Sequence, residues 1–249
     1  PLQYPVIVKP TDRSGSRGIT KLLDRAGLEA AIDAAKGQSF ERKALVEEFA
    51  EGQEYSVECI SWQGKHHFLA MTKKYTTGAP HFIETGHIEP APISAEKLNE
   101  VQDIVFHALD SLEIQNGASH TELKIDNAGR IRIIEIGGRM GGDCIGSDLV
   151  PLSTGVDFVK SVIQVALGTE PDIQRREHQQ TAAIRFIFNQ ADLDVLNQLK
   201  QEHPEYLVRE DVRPLSDETV VDSSTRYGYF LMCGPEISEL EHYLPEEQR

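Results

Sequence analysis

The strongest folding signal in the sequence is a hairpin formed by residues 120–126 and 130–136, two β-rich runs that flank the turn residues 127–129. Small turn residues between two such runs predict a tight antiparallel pair of strands. If the last two turn residues form the loop, Glu122 lies directly opposite Glu135, with the Cβ atoms roughly 5 Å apart. A three-residue loop would shift the register by one and place the two carboxylates on opposite faces of the sheet.

The pairing of Glu122 with Glu135 predicts a metal site. Two like charges so placed repel each other, whereas a divalent cation would bind their hard carboxylate oxygens, and magnesium usually shares such a site with phosphate oxygens. Arg139 follows in the glycine-rich stretch 137–146, from which its guanidinium could reach the same centre and hold a phosphoryl group. The alternatives are an exposed acidic ladder with flanking lysines for the glutamates and a structural salt bridge for Arg139.

Hydrophobic periodicity predicts a mixed α+β fold for the chain as a whole. Strands are expected at residues 4–9, 19–23, 44–49, 54–62, 66–75, 181–188 and 226–232, and helices at 26–36, 95–112 and 193–200. One more helix is expected to begin at a capping box of Thr154 and Asp157 and to end before Gly168. Residues 169–180, which are polar and contain Pro171, are the best candidate for a linker.

A second candidate site is the loop after the first strand. Ser14, Gly15, Ser16 and Gly18 would let backbone N–H groups approach an anion, and Lys9 would supply positive charge. This is phosphate-binding chemistry, and its spacing matches neither the Walker pattern nor GxGxxG. The alternatives are a merely flexible hairpin tip and, for Lys9, a solvated surface lysine.

Composition narrows the classes of partner and compartment. The chain has 25 lysines and arginines against 40 aspartates and glutamates, a net charge of −15, which would repel a nucleic-acid backbone or an anionic membrane. Neither nucleic acid nor membrane is expected as a partner. Three separated cysteines suit a reducing compartment, and no apolar run approaches the ~20 residues that span a bilayer, so the protein is expected to be cytoplasmic.

The order of these features resembles the ATP-grasp superfamily over residues 5–168. The segment 5–18 is similar to the lid hairpin of D-alanine:D-alanine ligase, which implies that its lysine and its serine and glycine loop lie over the phosphates of ATP. Residues 46–57 are similar to the hinge of the same family. The resemblance implies that Glu47 and Phe49, with Glu48 between them, bind the adenine and that Glu54 binds the ribose hydroxyls.

The resemblance extends to the predicted metal site. Glu122 and Glu135 take the places of the family's two magnesium carboxylates, and Arg139 takes that of the arginine in its Glu-x-Asn-x-Arg motif. The sequence departs from this motif at Gly137, where the family has asparagine, which leaves open whether one or two magnesium ions bind. The implied cofactors are ATP and Mg²⁺, with Mn²⁺ as an alternative, and the implied catalytic residues are Arg139 and Lys9.

Within the superfamily, residues 74–87 and 139–155 are most similar to bacterial L-amino-acid ligases. The resemblance implies that Glu84, His87 and Arg139 lie at the amino-acid substrate, and the alternative for His87 is a structural or exposed histidine. It also implies an ATP-grasp fold with three parts, which are a lid subdomain at 1–52, a catalytic core at 53–170 and a small C-terminal α+β domain at 171–249. The resemblance implies that the family's N-terminal domain lies outside this sequence, and the chain, which starts at Pro1, is expected to begin inside a larger protein. A homodimer is a further expected assembly.

The implied activity is ATP-dependent ligation. A substrate carboxylate attacks the γ-phosphate of ATP to give an acylphosphate and ADP, and an amine then displaces phosphate to form an amide, as in a dipeptide. Small-molecule carboxylates and amines, amino acids among them, are therefore the expected partners. Two alternatives remain: an enzyme that phosphorylates bicarbonate, like biotin carboxylase or carbamoyl phosphate synthetase, and a nucleotide-binding module without catalysis.

Overall fold

The N-terminal part of the protein is a small antiparallel sheet covered by one helix. The computed structural model describes residues 2–246. Strand β1 (Val6–Pro10) lies between β2 (Thr20–Leu22) and β3 (Ala44–Glu48), which confirms the hairpin predicted at this end of the chain. Helix α1 (Leu28–Gln38) packs on the sheet through small residues, since Ala31 and Ala35 form a core with Val8.

The larger part is an eight-stranded antiparallel sheet. Its strands are β4 (Gln53–Trp62), β5 (Lys65–Thr76), β6 (Glu84–Glu89), β7 (Gly117–Ile125), β8 (Ile131–Gly137), β9 (Thr181–Ile187), β10 (Leu207–Val212) and β11 (Gly228–Gly234). They lie in the order β10-β11-β9-β6-β5-β4-β7-β8. Because β9 pairs with β6, strands from both sides of the irregular segment 169–180 share this sheet. The division of the chain at residues 52 and 170 stays a prediction.

Helices cover one face of the large sheet. Helix α2 (Ala95–Ser111) buries an apolar stripe of Val101, Val105 and Leu109 against β4, β5 and β7. Helices α5 (Gln190–Glu202) and α6 (Ile237–Leu240) cover the β9 and β11 end of the same face. The helices and strands together confirm the predicted α+β class.

The opposite face is covered by the residues that follow β8. A π-helical turn, Ile145–Leu149, leads into α3 (Val150–Thr154) and α4 (Phe158–Ala166), and these segments pack on the apolar parts of this face. The centre of the face is polar and almost completely buried. Its fully or nearly fully buried side chains include Ser56, Glu58, Thr72, Lys74, Glu89 and His120.

One detail of the helices after β8 differs from the sequence prediction. The capping box of Thr154 and Asp157 is wrong, because α3 ends at Thr154 and Asp157 alone caps α4, accepting a hydrogen bond from the Lys160 N–H at 2.9 Å. The stop at Gly168 is confirmed, with a left-handed φ of 76°. Within residues 2–246 no single helix is long and apolar enough to cross a membrane, and the pair 145–154 and 158–166, bent by 115°, meets that test only jointly.

Candidate functional site

The predicted hairpin is present, but its turn is longer than expected. Close to the turn, Leu123 pairs with Ile133, and the Asp126 carboxylate accepts hydrogen bonds from the backbone N–H groups of residues 128 and 130, at 2.9 and 3.0 Å. The two-residue loop is therefore wrong. A β-bulge then inserts one extra residue into β8 and brings Glu122 directly opposite Glu135. The pairing of the two glutamates is confirmed through a register that the bulge corrects.

Lys74 is the charged centre of the buried polar face. Its side chain is only 3% exposed, and its Nζ lies 2.8 Å from a carboxylate oxygen of Glu122, 2.9 Å from one of Glu54 and 3.7 Å from one of Glu84. Burial alone would lower the pKa of Lys74, but the three carboxylates, Glu122 first, raise the pKa well above its ordinary value. Lys74 is therefore a permanent cation that links three predicted site residues.

His120 is a second buried cation beside the same glutamate. Its Nε2 lies 3.2 Å from Glu122, and its Nδ1 makes a short hydrogen bond to Glu58, whose other oxygen accepts from the Gly141 N–H at 2.8 Å. Burial would lower the pKa of His120, but its hydrogen bonds to Glu122 and Glu58 outweigh that effect and raise the pKa to about 9. The imidazolium therefore donates from both nitrogens and fixes the position of Glu122.

Glu122 itself is held as a carboxylate. The Lys74 ammonium is the main cause of a pKa well below the ordinary glutamate value, and His120 adds to it against the opposing effect of burial. A metal ligand of this type must be ionised to coordinate a divalent cation. The two buried cations keep Glu122 in that state at neutral pH.

A cavity of about 460 Å³ opens over this centre. Its walls come from three separate segments and the sheet itself. The lining residues are Ser14, Gly15, Arg17, Lys74, Glu84, His87, His120, Glu122, Arg139, Met140, Gly142, Asp143, Ile145, Ser223, Ser224 and Arg226. Six of the residues predicted from sequence therefore meet at one cavity: Ser14, Gly15, Glu84, His87, Glu122 and Arg139.

Another cavity, of about 520 Å³, lies between residues 179–181 and α6. Its charged lining residues are Glu236 and Glu241, and no lysine or arginine lines it. A phosphate group would find no opposite charge there. The cavity over Lys74 is therefore the candidate active site.

Arg226 closes one end of the candidate active site. Its guanidinium makes a bidentate ion pair with Asp143 at 2.6 and 2.9 Å, lies 3.7 Å from the centre of the Phe186 ring, and donates to the carbonyl oxygens of Ser223 at 2.8 Å and Glu84 at 3.2 Å. Burial would raise the pKa of Asp143, but its neighbours, including Arg226, hold the pKa well below its usual range. Arg226 thus ties the C-terminal segment to the glycine-rich segment.

His87 lies under this ion pair. The residue is fully buried, and its Nε2 is 3.8 Å from an Asp143 oxygen, which is too long for a hydrogen bond. Neither ring nitrogen has a hydrogen-bond partner within residues 2–246. The exposed alternative for His87 is therefore wrong, and its ring offers unused hydrogen-bonding capacity at the cavity wall.

The serine and glycine loop forms the roof of the cavity. Ser16 has a left-handed φ of 61° and donates from its hydroxyl to the Phe82 carbonyl oxygen at 2.8 Å, and Arg17 lies 3.5 Å from an Asp222 carboxylate oxygen. Gly18 is also left-handed but lies beside α1, outside the lining of the cavity. The loop is therefore anchored at both sides rather than being a free hairpin tip.

Lys9 is not brought to the cavity. Its Nζ pairs with Glu47 at 2.7 Å, and the lysine side chain is only 14% exposed, so the solvated alternative is wrong, and the predicted place of Lys9 over the phosphates stays a prediction. Lys9 points along β1 toward β3, and Glu47 on β3 neutralises it. The loop residues alone supply the roof of the site.

The predicted adenine hinge lies where the two sheets meet. The Phe49 ring is 6.0 Å from that of Phe82, and the ammonium groups of Lys21 and Lys124 lie 3.6 and 4.6 Å from the Phe49 ring centre. Glu48 is exposed at the end of β3. This junction has an aromatic surface and two cations, and it adjoins Glu54 through a 3.8 Å contact with Lys124.

The pair Glu122 and Glu135 fits a divalent cation. Both offer hard carboxylate oxygens from facing positions on one sheet, Glu122 is held ionised, and Glu135 is exposed at the edge strand. Within residues 2–246 no group of three or more His, Cys, Asp or Glu side chains is arranged to hold a metal alone. The remaining ligands would have to be water and the oxygens of a bound anion, as is usual for magnesium.

Five cavity or centre residues were missed as functional residues at the level of sequence: Glu58, Lys74, His120, Asp143 and Arg226. A signal for two of them, Glu58 and His120, exists, because polar residues alternate along β4 and β7, which places them on one face. Such alternation ordinarily indicates a solvent-facing surface. The segment after β8 buries this face, and no local pattern in β4 or β7 indicates this burial.

Comparison with known proteins gives a consistent result. The sequence model of a family described as "ATP-grasp domain" matches residues 2–148. Alanine--anticapsin ligase of Bacillus subtilis is 29% identical over 160 residues, which cover 55% of this chain and 34% of that protein. D-alanine--D-alanine ligase of Thermosipho africanus is 29% identical over 136 residues, covering 50% of this chain and 35% of that protein.

A solved structure shows the same likeness over nearly the whole chain. L-amino acid ligase from Bacillus licheniformis superposes with a TM-score of 0.77 and 27% identity, covering 98% of this chain and 61% of that one. The chain thus spans about a third of the curated relatives quoted and about three-fifths of this structure. The predicted α+β fold of the family is confirmed by this likeness.

Proposed function

This chain belongs to the ATP-grasp family, and from that membership and the geometry of its site we propose that it binds ATP with a divalent metal as the nucleotide-binding module of an ATP-dependent carboxylate–amine ligase. The observation that carries the proposal is the cavity over Lys74. It brings Glu122, Arg139 and the loop of residues 14–18, called the lid loop below, together around one space of about 460 Å³, and Glu135 lies opposite Glu122 on the neighbouring strand. Those are the groups that transfer of a phosphoryl group requires.

In the proposed reaction a substrate carboxylate attacks the γ-phosphate of ATP, and an amine then displaces phosphate from the acylphosphate. Glu122 and Glu135 would hold magnesium, which would neutralise phosphate charge. The chain's own contribution is positive charge and hydrogen-bond donors at fixed places. Arg139 is exposed at the cavity wall, and its guanidinium, which donates to the Met140 carbonyl oxygen at 2.8 Å, could turn to the transferred group. The lid loop would exclude water from above.

Amino acids are the proposed substrates. The names of the two curated relatives specify alanine or D-alanine, and the sequence resemblance to L-amino-acid ligases points to Glu84 and His87. Glu84 offers an anionic group suited to an ammonium, and His87 offers ring nitrogens without partners at the same wall. We propose that these two residues bind an amino-acid substrate beside the phosphoryl group.

The proposal is tested by calorimetric titration of the chain with ATP and with a non-hydrolysable analogue, each with and without Mg²⁺. We expect Mg²⁺-dependent binding that Glu135→Ala weakens by at least about tenfold, because one of two protein ligands to the metal is lost. Glu177→Ala, a change at an exposed residue of the irregular segment, is the matched control and should bind as the wild type does.

Two outcomes would contradict the proposal. Equal Mg²⁺-dependent ATP affinity of the wild type and Glu135→Ala would show that the metal does not bind at this pair of glutamates. Absence of nucleotide binding at millimolar concentration, with the fold intact by circular dichroism, would mean that this chain is not a nucleotide-binding module by itself.

A further inference from the structure

The buried centre carries more negative than positive charge. Within 4 Å of the two buried cations, Lys74 and His120, lie four carboxylates, which are Glu54, Glu58, Glu84 and Glu122. Each of these ion pairs except Lys74–Glu84, at 3.7 Å, is short enough for a direct hydrogen bond. A phosphate alone would meet repulsion here, and a metal ion alone would have to compete with the two cations for Glu122.

The competition at Glu122 is specific to one oxygen. Lys74 and His120 both contact the Oε1 atom of Glu122, at 2.8 and 3.2 Å. His120 is held from its other side by Glu58, which is fully buried and also bound to the Gly141 N–H, so the imidazolium has no room to withdraw. Lys74 is different, because it already touches Glu54 and borders the cavity.

Lys74 also faces the lid loop. Ser14, Gly15 and Arg17 of this loop form the roof of the cavity that Lys74 also lines. An anion held under the lid loop would therefore lie where the flexible ammonium of Lys74 can turn to it. Doing so would release the Glu122 oxygen that Lys74 occupies in the structure.

We propose that Lys74 is a positioning residue that makes metal and nucleotide binding interdependent, by blocking Glu122 until a phosphate group draws its ammonium away. The inference rests on the proposed function, and it adds an order of events in which nucleotide binding makes Glu122 available to the metal. Without nucleotide, Lys74 neutralises Glu122 and the metal binds weakly. With nucleotide, Lys74 exchanges Glu122 for a phosphate oxygen, and Glu122 becomes available to the metal opposite Glu135.

The test is a titration of the folded chain with Mn²⁺, followed by electron paramagnetic resonance, for wild type, Lys74→Met and Lys124→Met. Removing the ammonium at 2.8 Å from Glu122 should tighten nucleotide-free Mn²⁺ binding roughly tenfold or more, because the competing charge is gone. Lys124→Met is the matched control: Lys124 contacts Glu54 at 3.8 Å and makes no ion pair with Glu122, so its removal should change the affinity far less.

The same titration is repeated with a non-hydrolysable ATP analogue, after correction for the Mn²⁺–analogue complex in solution. The wild type should gain at least about tenfold in metal affinity from the analogue, and Lys74→Met should gain much less. Unchanged nucleotide-free affinity in a folded Lys74→Met variant would overturn the inference.

Lys74→Met leaves three carboxylates without their central cation, so Lys74→Gln, which keeps a hydrogen-bond donor, is measured beside it with the same expected direction. If neither variant folds by circular dichroism, the wild type decides alone, since equal metal affinity with and without the analogue refutes the role of Lys74. Failure of the wild type to bind nucleotide at all would instead refute the proposed function.

Discussion

Gly141 offers the sharpest test of the buried ion pairs. Its N–H donates to Glu58 at 2.8 Å, and a Cβ atom at this position would lie 2.6 Å from a Glu58 oxygen and 2.9 Å from Nδ1 of His120. Both side chains are buried against the sheet and cannot swing to solvent. A Cβ atom added at the neighbouring Gly142 would meet nothing within 4 Å. Gly141→Ala should therefore be damaging and Gly142→Ala should be tolerated.

The expected magnitude follows from two costs. Forcing an extra carbon atom into a packed site destabilises by about 1–3 kcal/mol. Displacing Glu58 from the imidazolium would add part of the about 3–5 kcal/mol that breaking a buried ion pair costs. We expect Gly141→Ala to lose about 3 kcal/mol of unfolding free energy, which lowers Tm by about 6–12 °C for a chain of this size. Gly142→Ala should stay within about 0.5 kcal/mol of the wild type.

Urea denaturation followed by circular dichroism measures both variants, and calorimetry with the ATP analogue and Mg²⁺ measures the site. Because His120 fixes Glu122, Gly141→Ala should also weaken Mg²⁺-dependent nucleotide binding below the unfolding transition. Equal stability of the Gly141→Ala and Gly142→Ala variants would refute the reasoning, since it would mean that Glu58 and His120 can move aside without loss.

Two further predictions concern charged groups of the same site. The His120 pKa is raised from 6.5 to about 9 in the folded protein, so its contribution to stability is complete below pH 6.5 and is lost as the pH rises through 9. Urea denaturation of the wild type at pH 6, 8 and 10 should show a loss of up to about 3 kcal/mol of unfolding free energy, and His120→Gln should lack this pH-dependent loss. If His120→Gln showed the same pH profile as the wild type, the imidazolium would be excluded as its cause. Arg226→Lys cannot keep the bidentate pair with Asp143, so it should lower the unfolding free energy by about 1–3 kcal/mol in the same assay. The control Arg132→Lys changes an exposed residue and should have an effect near zero. Equal values for the two variants would show that the guanidinium geometry is unimportant.

The hairpin shows what local sequence can determine. The β-rich runs and small turn residues specified that two strands pair and that Glu122 faces Glu135. The predicted two-residue turn was wrong, because the Asp126 side chain closes a longer loop. A bulge in β8 restores the pairing of Glu122 with Glu135. A bulge depends on how the strand is packed across the sheet, which the residues of the turn do not encode.

The lid loop and Lys9 show a second limit of what the local sequence can predict. Small residues in residues 14–18 predicted a backbone able to close over an anion, and the structure places part of that loop at the cavity and anchors it at Phe82 and Asp222. Lys9 shares the segment but pairs with Glu47 on the neighbouring strand. Sequence spacing predicts that a lysine is nearby, whereas the register of β1 against β3 decides which way its charge points.

The sequence by itself therefore determined the elements, the acidic pair and the order of motifs that marks the family. Only the tertiary structure decided that the polar face of β4, β5 and β7 is buried, that Lys74 and His120 hold Glu122, and that Arg226 reaches Asp143. The physical reason is that alternation along a strand specifies which residues share a face, while the residues that cover the face come from distant segments. Those segments bury the face, and the charged neighbours brought together beneath them outweigh burial and keep Lys74, His120 and Glu122 ionised.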